Sequence, residues 1–213
     1  MFNFIALLGW SPEGEEEIFS REELISIFDA NRLSRSPAVF DKHKLAHLNN
    51  HYIKNADPER VAALAIPHLQ AASRLPAELT PEQETWAKAL VALYQEQMTA
   101  ASDIVELSDL FFRTHLEMDA EAAAVLAEPQ VPEVMNAFLG KVEASSAAEF
   151  KPEQIAAWIK EVQKETGAKG KGLFMPIRVA LTGQTHGRDL NQTIYLLGRD
   201  RVIDRLKAQI RGA

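Results

Sequence analysis

Proline placement constrains this chain more than any other feature of its sequence. Asp57-Pro58 and Thr80-Pro81 each set a capping residue before a proline. Proline in a first helical turn gives up an N–H that has no intrahelical partner anyway, and its fixed φ already suits a helix. Thr80 with Gln83, and Ser20 with Glu23, complete capping boxes in which side chains and amides satisfy one another. Lys151-Pro152-Glu153 opens a further helix. Between these starts apolar residues recur at spacings of three and four, and no window sustains the period-two alternation of a half-buried strand. The predicted fold class is all-α.

Taken in order, the pattern predicts an opening helix with Phe2, Ile5 and Leu8 on its apolar face, stopped by Gly9. A helix over residues 21–29 follows, burying Leu24, Ile27 and Phe28, and then a proline-limited connection over 32–37. Asp41 caps a helix carrying Leu45, Leu48 and Tyr52. A long helix with Trp86, Leu90, Leu93 and Tyr94 is expected to reach about Met98, and the next to bury Ile104, Leu107, Leu110 and Phe111. Residues 117–149 are alanine-rich and acidic, with Pro129 and Pro132 between two helices, and read as a spacer or outer layer. Ile155, Trp158, Ile159 and Val162 form the stripe of a helix ended by Gly167. Two short helices then flank a polar loop at 184–188. The first carries Leu173, Phe174, Ile177 and Leu181 up to Gly183, and the second Leu190, Ile194, Leu196 and Leu197 up to Gly198. Asp200 is expected to cap a last helix with Val202, Ile203, Leu206 and Ile210. The punctuation divides the chain into 1–57 and 58–213, with a possible subdivision near 116.

Composition excludes several classes of function. There is no cysteine, so disulfides, thiolate metal sites and thiol chemistry are out, and a reducing cytoplasm is the natural compartment. No apolar run is long enough to span a membrane, the start lacks the basic region of a signal peptide, and no membrane partner is expected. The formal net charge is −7, yet residues 171–213 hold eight Lys/Arg against three Asp/Glu, and residues 32–54 hold five against one. Two basic islands on an acidic body confine where a polyanion can lie, since the rest of the surface repels it. For either island alone, a merely solvated helix face is the competing explanation.

Two other patterns carry less. His43, His47 and His51 share a helix face at i, i+4 and i+8, but no carboxylate is spaced to complete a metal site; a mixed polar face is expected and no metal. Gly167, Gly170 and Gly172 are followed by no Gly-Lys-Ser/Thr and preceded by no strand, so a helix end and a flexible connection are expected, not a phosphate loop.

The run MPIRVALTG, with its short loop and Leu-Leu-Gly helix end, resembles the C-terminal anticodon-binding region of bacterial glutamyl-tRNA synthetases. At the other end FNFIALLGWSPEGEEEIFSREELI, LSRSPAVFDKHKL and NNHYIK resemble the segment of those enzymes that follows their KMSKR-type loop. The likeness runs from Phe2 to about Ile210. In those enzymes the opening helix begins several residues earlier, so Met1 is expected to mark a fragment boundary. They usually carry a tryptophan where His47 stands.

The resemblance implies a helical stem-contact domain followed by a helical anticodon-binding domain, with tRNA as partner, in a cytoplasmic monomer. The HIGH-like and KMSKR-like motifs of adenylate formation are absent, so ATP and Mg belong to a catalytic domain missing here; no cofactor and no catalytic residue is expected in this chain, which alone should be inactive. Positions matching Arg32, Ser34 and Lys44 approach the tRNA backbone in the family. Those matching Arg178, Gly187, Arg188, Asp189, Leu190 and Asn191 surround the splayed anticodon bases, Leu190 offering apolar surface. Aligned without gaps through 85–98 and 102–112, Gln97 falls where members restricted to glutamate tRNA carry an arginine beside the third anticodon base. That base is C for glutamate and G for glutamine. A glutamine amide both donates and accepts, so glutamine isoacceptors are also expected partners. The rival class is a helical protein-interaction scaffold with no RNA role, whose binding would lack the steep salt dependence of a phosphate contact.

Overall fold

The computed structural model describes residues 1–212; Ala213, the last residue of the expected second domain, lies outside the described residues. Twelve α-helices and four short 3-10 turns make up the described chain, which has no strand and one isolated antiparallel bridge, between Trp10 and Leu33. The all-α class is what the structure shows. No described helix is long and apolar enough to cross a membrane. The helices gather into two compact units, Met1–Glu78 with Tyr94–Val105, and Leu79–Leu93 with Glu106–Ala213.

The first unit contains α1 (Phe2–Gly9), α2 (Arg21–Ile27), α3 (Lys42–Lys54) and α4 (Pro58–Ala71). The expected caps form: Ser20 and Glu23 satisfy each other's amides, Asp41 accepts from His43 N and Lys44 N, and Asp57 accepts from Arg60 N. The face of α1 differs from the expected one. Phe2 and Ile5 are 55% and 58% exposed, while Asn3 and Phe4 are buried. The cause is polar. Asn3 Nδ2 donates to Glu17 O at 2.8 Å, and its Oδ1 accepts from Phe19 N at 2.7 Å and lies 2.7 Å from the Tyr52 hydroxyl. An amide whose bonds are all made inside sets the rotation of the helix, and apolar periodicity does not register it. α2 stops before Asp29, because that residue is occupied elsewhere. Its carbonyl accepts from Trp10 Nε1 at 3.0 Å and its carboxylate from Asn31 N at 2.9 Å, opening a 3-10 turn at Ala30–Arg32. Ile27 and Phe28 are left 43% and 50% exposed; Leu24 is buried with Trp10 and Phe19, and Phe28 reaches only the Trp10 ring, at 5.6 Å between centroids.

α5 (Pro81–Tyr94) begins at its expected capping box but ends short of Met98, passing into a 3-10 turn at Gln95–Gln97. Side chains of the first unit impose this. Asn50 Nδ2 donates to Glu96 O and Met98 O, and Gln95 Nε2 to Ile53 O and Ala56 O, each at 2.9 Å. The same four bonds bind residues 95–98 to the end of α3, so the sequence-read junction at 57/58 falls inside one compact unit. The following expected helix is broken into α6 (Ile104–Leu107) between two 3-10 turns. Asp103 accepts from Thr99 N and Ala100 N at 2.8 and 2.9 Å, so its carboxylate replaces helical carbonyls.

The second unit is completed by α7 (Ala120–Leu126), α8 (Val131–Ala144), α9 (Pro152–Thr166), α10 (Lys171–Thr182), α11 (Leu190–Leu197) and α12 (Arg199–Gly212). α8 is not a spacer. It packs against α9, α10 and α12, and Val134, Phe138 and Val142 are fully buried, each contributing about 1.5–3 kcal/mol. Asp200 lies in the first turn of α12, which starts one residue before it, so it does not act as the expected N-cap. The stretch near residue 116 is pinned to this core. Arg205, 7% exposed, donates from Nη1 to Leu181 O at 2.6 Å, and from Nη2 to Leu110 O at 3.0 Å and Arg113 O at 3.2 Å. Burial, with a smaller contribution from Arg201, pushes its pKa down to about 10, which leaves it charged at neutral pH. Arg205→Met removes every donor from three inward carbonyls, and the expected loss is about 2–4 kcal/mol. It should appear as a lower urea midpoint at unchanged slope, partly restored by Arg205→Lys.

Candidate nucleic-acid interface

In the second unit the loop between α10 and α11 is held by the main chain and by one arginine. Gly183 ends α10 at φ 72°, where a Cβ would stand 2.5 Å from Glu117 O. Thr182 Oγ1 donates to Arg178 O at 2.7 Å and accepts from Gln184 N at 3.2 Å. Asp189 restarts the helix by accepting from Gln192 N at 2.8 Å. Across this turn the half-buried Arg178 donates from Nη1 to Arg188 O at 3.1 Å, and a Cβ on Gly187 would lie 2.9 Å from that nitrogen. Burial lowers the Arg178 pKa, opposed by the charge of Asp189. Arg188 donates from Nε to Leu93 O at 2.8 Å.

Arg178, Gly187, Arg188 and Asp189 are thus gathered in one turn, and Asn191 stands half-buried beside it. Leu190 departs from expectation: it is 7% exposed and offers little apolar surface to a base. As the first residue of α11 it continues the buried stripe of Ile194 and Leu197. Gln97 belongs to the first unit, exposed in its 3-10 turn.

The expected backbone residues are also in the first unit, and their charges are engaged. Arg32 donates from Nε to Ser11 O at 2.7 Å and from Nη2 to Pro12 O at 2.6 Å, and its Nη1 lies 3.5 Å from Glu13. It lines a cleft of about 440 Å³ shared with Glu13, Glu16, Glu23 and Asp29. Lys44 Nζ lies 2.5 Å from Glu17. Ser34 Oγ accepts from Ser36 N at 3.2 Å. Arg35, Lys42 and Lys54 are exposed and carry no such contacts among the described residues; sequence reading counted all three in the basic island and singled out none of them as a contact. The signal that separates them is the acidic run at 13–17, which claims its two cations through the fold. His43 and His47 are exposed on α3 and His51 half-buried; among the described residues no group of His, Asp and Glu is gathered for a metal.

The model of the anticodon binding domain family matches residues 60–210. This chain belongs to that family. A second model, for the catalytic domain of class I tRNA synthetases (E and Q), matches residues 1–47. The glutamate–tRNA ligases of Bacillus pumilus and Geobacillus stearothermophilus are 56% and 58% identical to it over 207 residues, 97% of this chain and 42% of each relative. The chain therefore spans about two-fifths of the length of the curated relatives it matches. A crystal structure of a glutamate tRNA ligase from Elizabethkingia meningosepticum in complex with its amino acid superposes with a TM-score of 0.82 at 25% identity, over 99% of this chain and 40% of that one. The enzyme from Elizabethkingia anophelis gives 0.81 at 26% identity over the same shares.

In this anticodon-binding domain much of the C-terminal positive charge is spent on folding. Arg199 donates to Ser145 O at 3.0 Å and Glu143 O at 2.9 Å, closing the carbonyl end of α8, while Arg201 donates to Phe111 O. Lys207 pairs with Glu143 at 2.6 Å. Together with Arg178, Arg188 and Arg205, five arginines of the run serve main-chain carbonyls. The bias toward arginine is the sequence signal for this, because a fixed fork of five N–H donors suits clustered acceptors in a way an ammonium does not. Gly183→Ala should destabilise the domain by at least about 1–2 kcal/mol from the left-handed backbone alone. Gly187→Ala, which meets only a movable guanidinium, should stay within about 0.5 kcal/mol of the parent in thermal unfolding.

Proposed function

We propose that this chain is the tRNA-recognising part of a glutamate–tRNA ligase, with the anticodon read at the α10–α11 turn and at Gln97. Arg178 carries the reading. One of its N–H groups is spent holding Arg188 O, and the others have no hydrogen-bond partner among the described residues. Partial burial makes such donors costly unless an acceptor arrives, and a base edge or phosphate supplies one. Gly187, Arg188 and Asp189 shape the turn around it and Asn191 adds an amide. Leu190 supports the turn from beneath.

A functional division near residue 57 is supported by family models that end at 47 and begin at 60. The part before it contacts the tRNA backbone through the surface around Arg32, Ser34 and Lys44. ATP-dependent aminoacylation, with ATP and Mg, belongs to the catalytic region that the longer relatives carry; this chain alone binds tRNA without forming adenylate. It acts as a monomer in the cytoplasm, where translation takes place.

Gln97 sets the specificity. Its side-chain amide has no partner among the described residues, and it can turn to donate to one base or accept from another. Two tRNAs differing only in the third anticodon base, C or G, should bind this chain within a few-fold of each other. A preference for C of tenfold or more, about 1.4 kcal/mol, would contradict the relaxed reading. Arg178→Ala should weaken both tRNAs together by roughly tenfold. Unchanged binding in a folded Arg178→Ala protein would leave that residue as a helix tie only.

A further inference from the structure

α5 carries no cation in its own last turn, and Arg188 brings one to its carbonyl end from 95 positions along the chain. The last four carbonyls of a helix find no amide within it and form its negative pole. Leu93 O is one of them, and the half-buried Arg188 donates to it from Nε at 2.8 Å. In a helix continued to Met98, as apolar spacing predicts, Leu93 O would accept from the amide of Gln97, four residues on. The chain instead enters the 3-10 turn at Gln95–Gln97, where amides turn to carbonyls three residues back. The guanidinium thus takes the carbonyl that the Gln97 amide has given up. Arg188 is tied a second time through its own carbonyl, which accepts from Arg178 Nη1 at 3.1 Å.

We infer that Arg188 is a positioning residue for both proposed readers of the anticodon, Arg178 and Gln97, and meets no base or phosphate itself. With Leu93 O occupied, the pull on Gln97 N–H toward α geometry is weakened and the 3-10 turn is kept. The turn angle per residue differs by about 20° between the two helices, so from Tyr94 to Gln97 a change of state would swing the side chain by about 60°. Asn50 Nδ2 holds the carbonyls of Glu96 and Met98 on either side of Gln97, and Arg188 fixes the step before them. The bond from Arg178 to Arg188 O places the remaining donors of Arg178 in the α10–α11 turn. Attraction to the negative end of α5 keeps the Arg188 charge turned toward the protein and away from RNA. One residue therefore gives the turn that carries Arg178 and the segment that carries Gln97 a shared fixed point.

This inference rests on the proposed tRNA binding, and the test keeps the two apart. Glutamine and methionine match arginine in length as far as the ε position; glutamine keeps an N–H there without the charge, and methionine keeps neither. Binding of tRNA transcripts with C or G as third anticodon base to the 213-residue chain is followed over a salt series, with folding checked by circular dichroism. The proteins are the parent, Arg188→Met, Arg188→Gln, Gln97→Ala and Gln97→Ala/Arg188→Met. Arg188→Met should weaken binding roughly fivefold and move the ratio of the two affinities by roughly threefold, at the parent's salt slope. Arg188→Gln should recover most of both losses. In the Gln97→Ala background Arg188→Met should no longer alter the ratio. A folded Arg188→Met with the parent's affinities, or an Arg188→Gln as weak as Arg188→Met, overturns the positioning role while leaving tRNA binding standing. So does a log–log slope shallower by about 0.9 in either variant, the mark of a lost phosphate contact. If Arg188→Met does not fold, Arg188→Gln decides alone: affinity near the parent's at the parent's slope supports the role, and a roughly fivefold loss overturns it. A parent that fails to bind at low salt overturns both readings.

Discussion

A charged arginine in the interior of the second unit is the constraint on which that unit depends. Among the described residues Arg205 has no carboxylate partner; its charge is met by the carbonyls of Leu181, Leu110 and Arg113. A buried cation without hydrogen bonds would cost far more than the unit could absorb, so these three carbonyls must converge and stay there. Leu181 O belongs to the last turn of α10, and the other two lie in the irregular stretch after α6. One side chain of α12 therefore sets where α10 ends, and Gly183 can follow only because a position without Cβ fits against Glu117 O. The turn carrying Arg178 and Gly187 starts from that fixed point.

The same device recurs in the first unit with neutral donors. Asn3 draws the loop at 17–19 onto α1, Asn50 and Gln95 draw residues 95–98 onto α3, and Arg32 holds the loop at 11–12. Short helices bury little apolar area each, and the connections between them would be poorly defined by packing alone. Side-chain amides and guanidinium groups that bond specific carbonyls define them, because an orphaned buried carbonyl costs about 1–3 kcal/mol. The consequence for function is a scarcity of free charge. Of two basic islands visible in the sequence, the C-terminal one is largely absorbed into main-chain contacts, while Arg35, Lys42 and Lys54 of the other stay exposed.

Local order was legible in the sequence wherever it depended on neighbours along the chain. The capping boxes at Ser20 and Thr80, the proline starts of α4, α5 and α9, and the left-handed ends at Gly167 and Gly183 are determined by amide satisfaction and backbone sterics within a few residues. The all-α class follows from these together with the three-and-four spacing. Of the candidate site, the grouping of Arg178 with residues 187–189 came from the resemblance, and the turn between α10 and α11 does bring them together.

What only the tertiary structure decided is the set of choices that need a distant partner. Residues 95–97 leave the α-helix because Asn50 and Gln95 claim carbonyls across some 40 positions of sequence, α1 turns Asn3 inward because a loop 14 residues away needs its amide, and Leu190 is covered because α11 packs it into the unit. Whether a cation is free or occupied is of the same kind. Arg32 and Lys54 look alike as letters in a basic stretch, and they differ because folding carries Glu13 and the carbonyls of Ser11 and Pro12 to the first, while the ammonium of the second bonds to no side chain or carbonyl among the described residues. Helix formation is governed by interactions of short range along the chain and can be read there; the pairing of buried polar groups is governed by distance in space, which the order of residues does not contain.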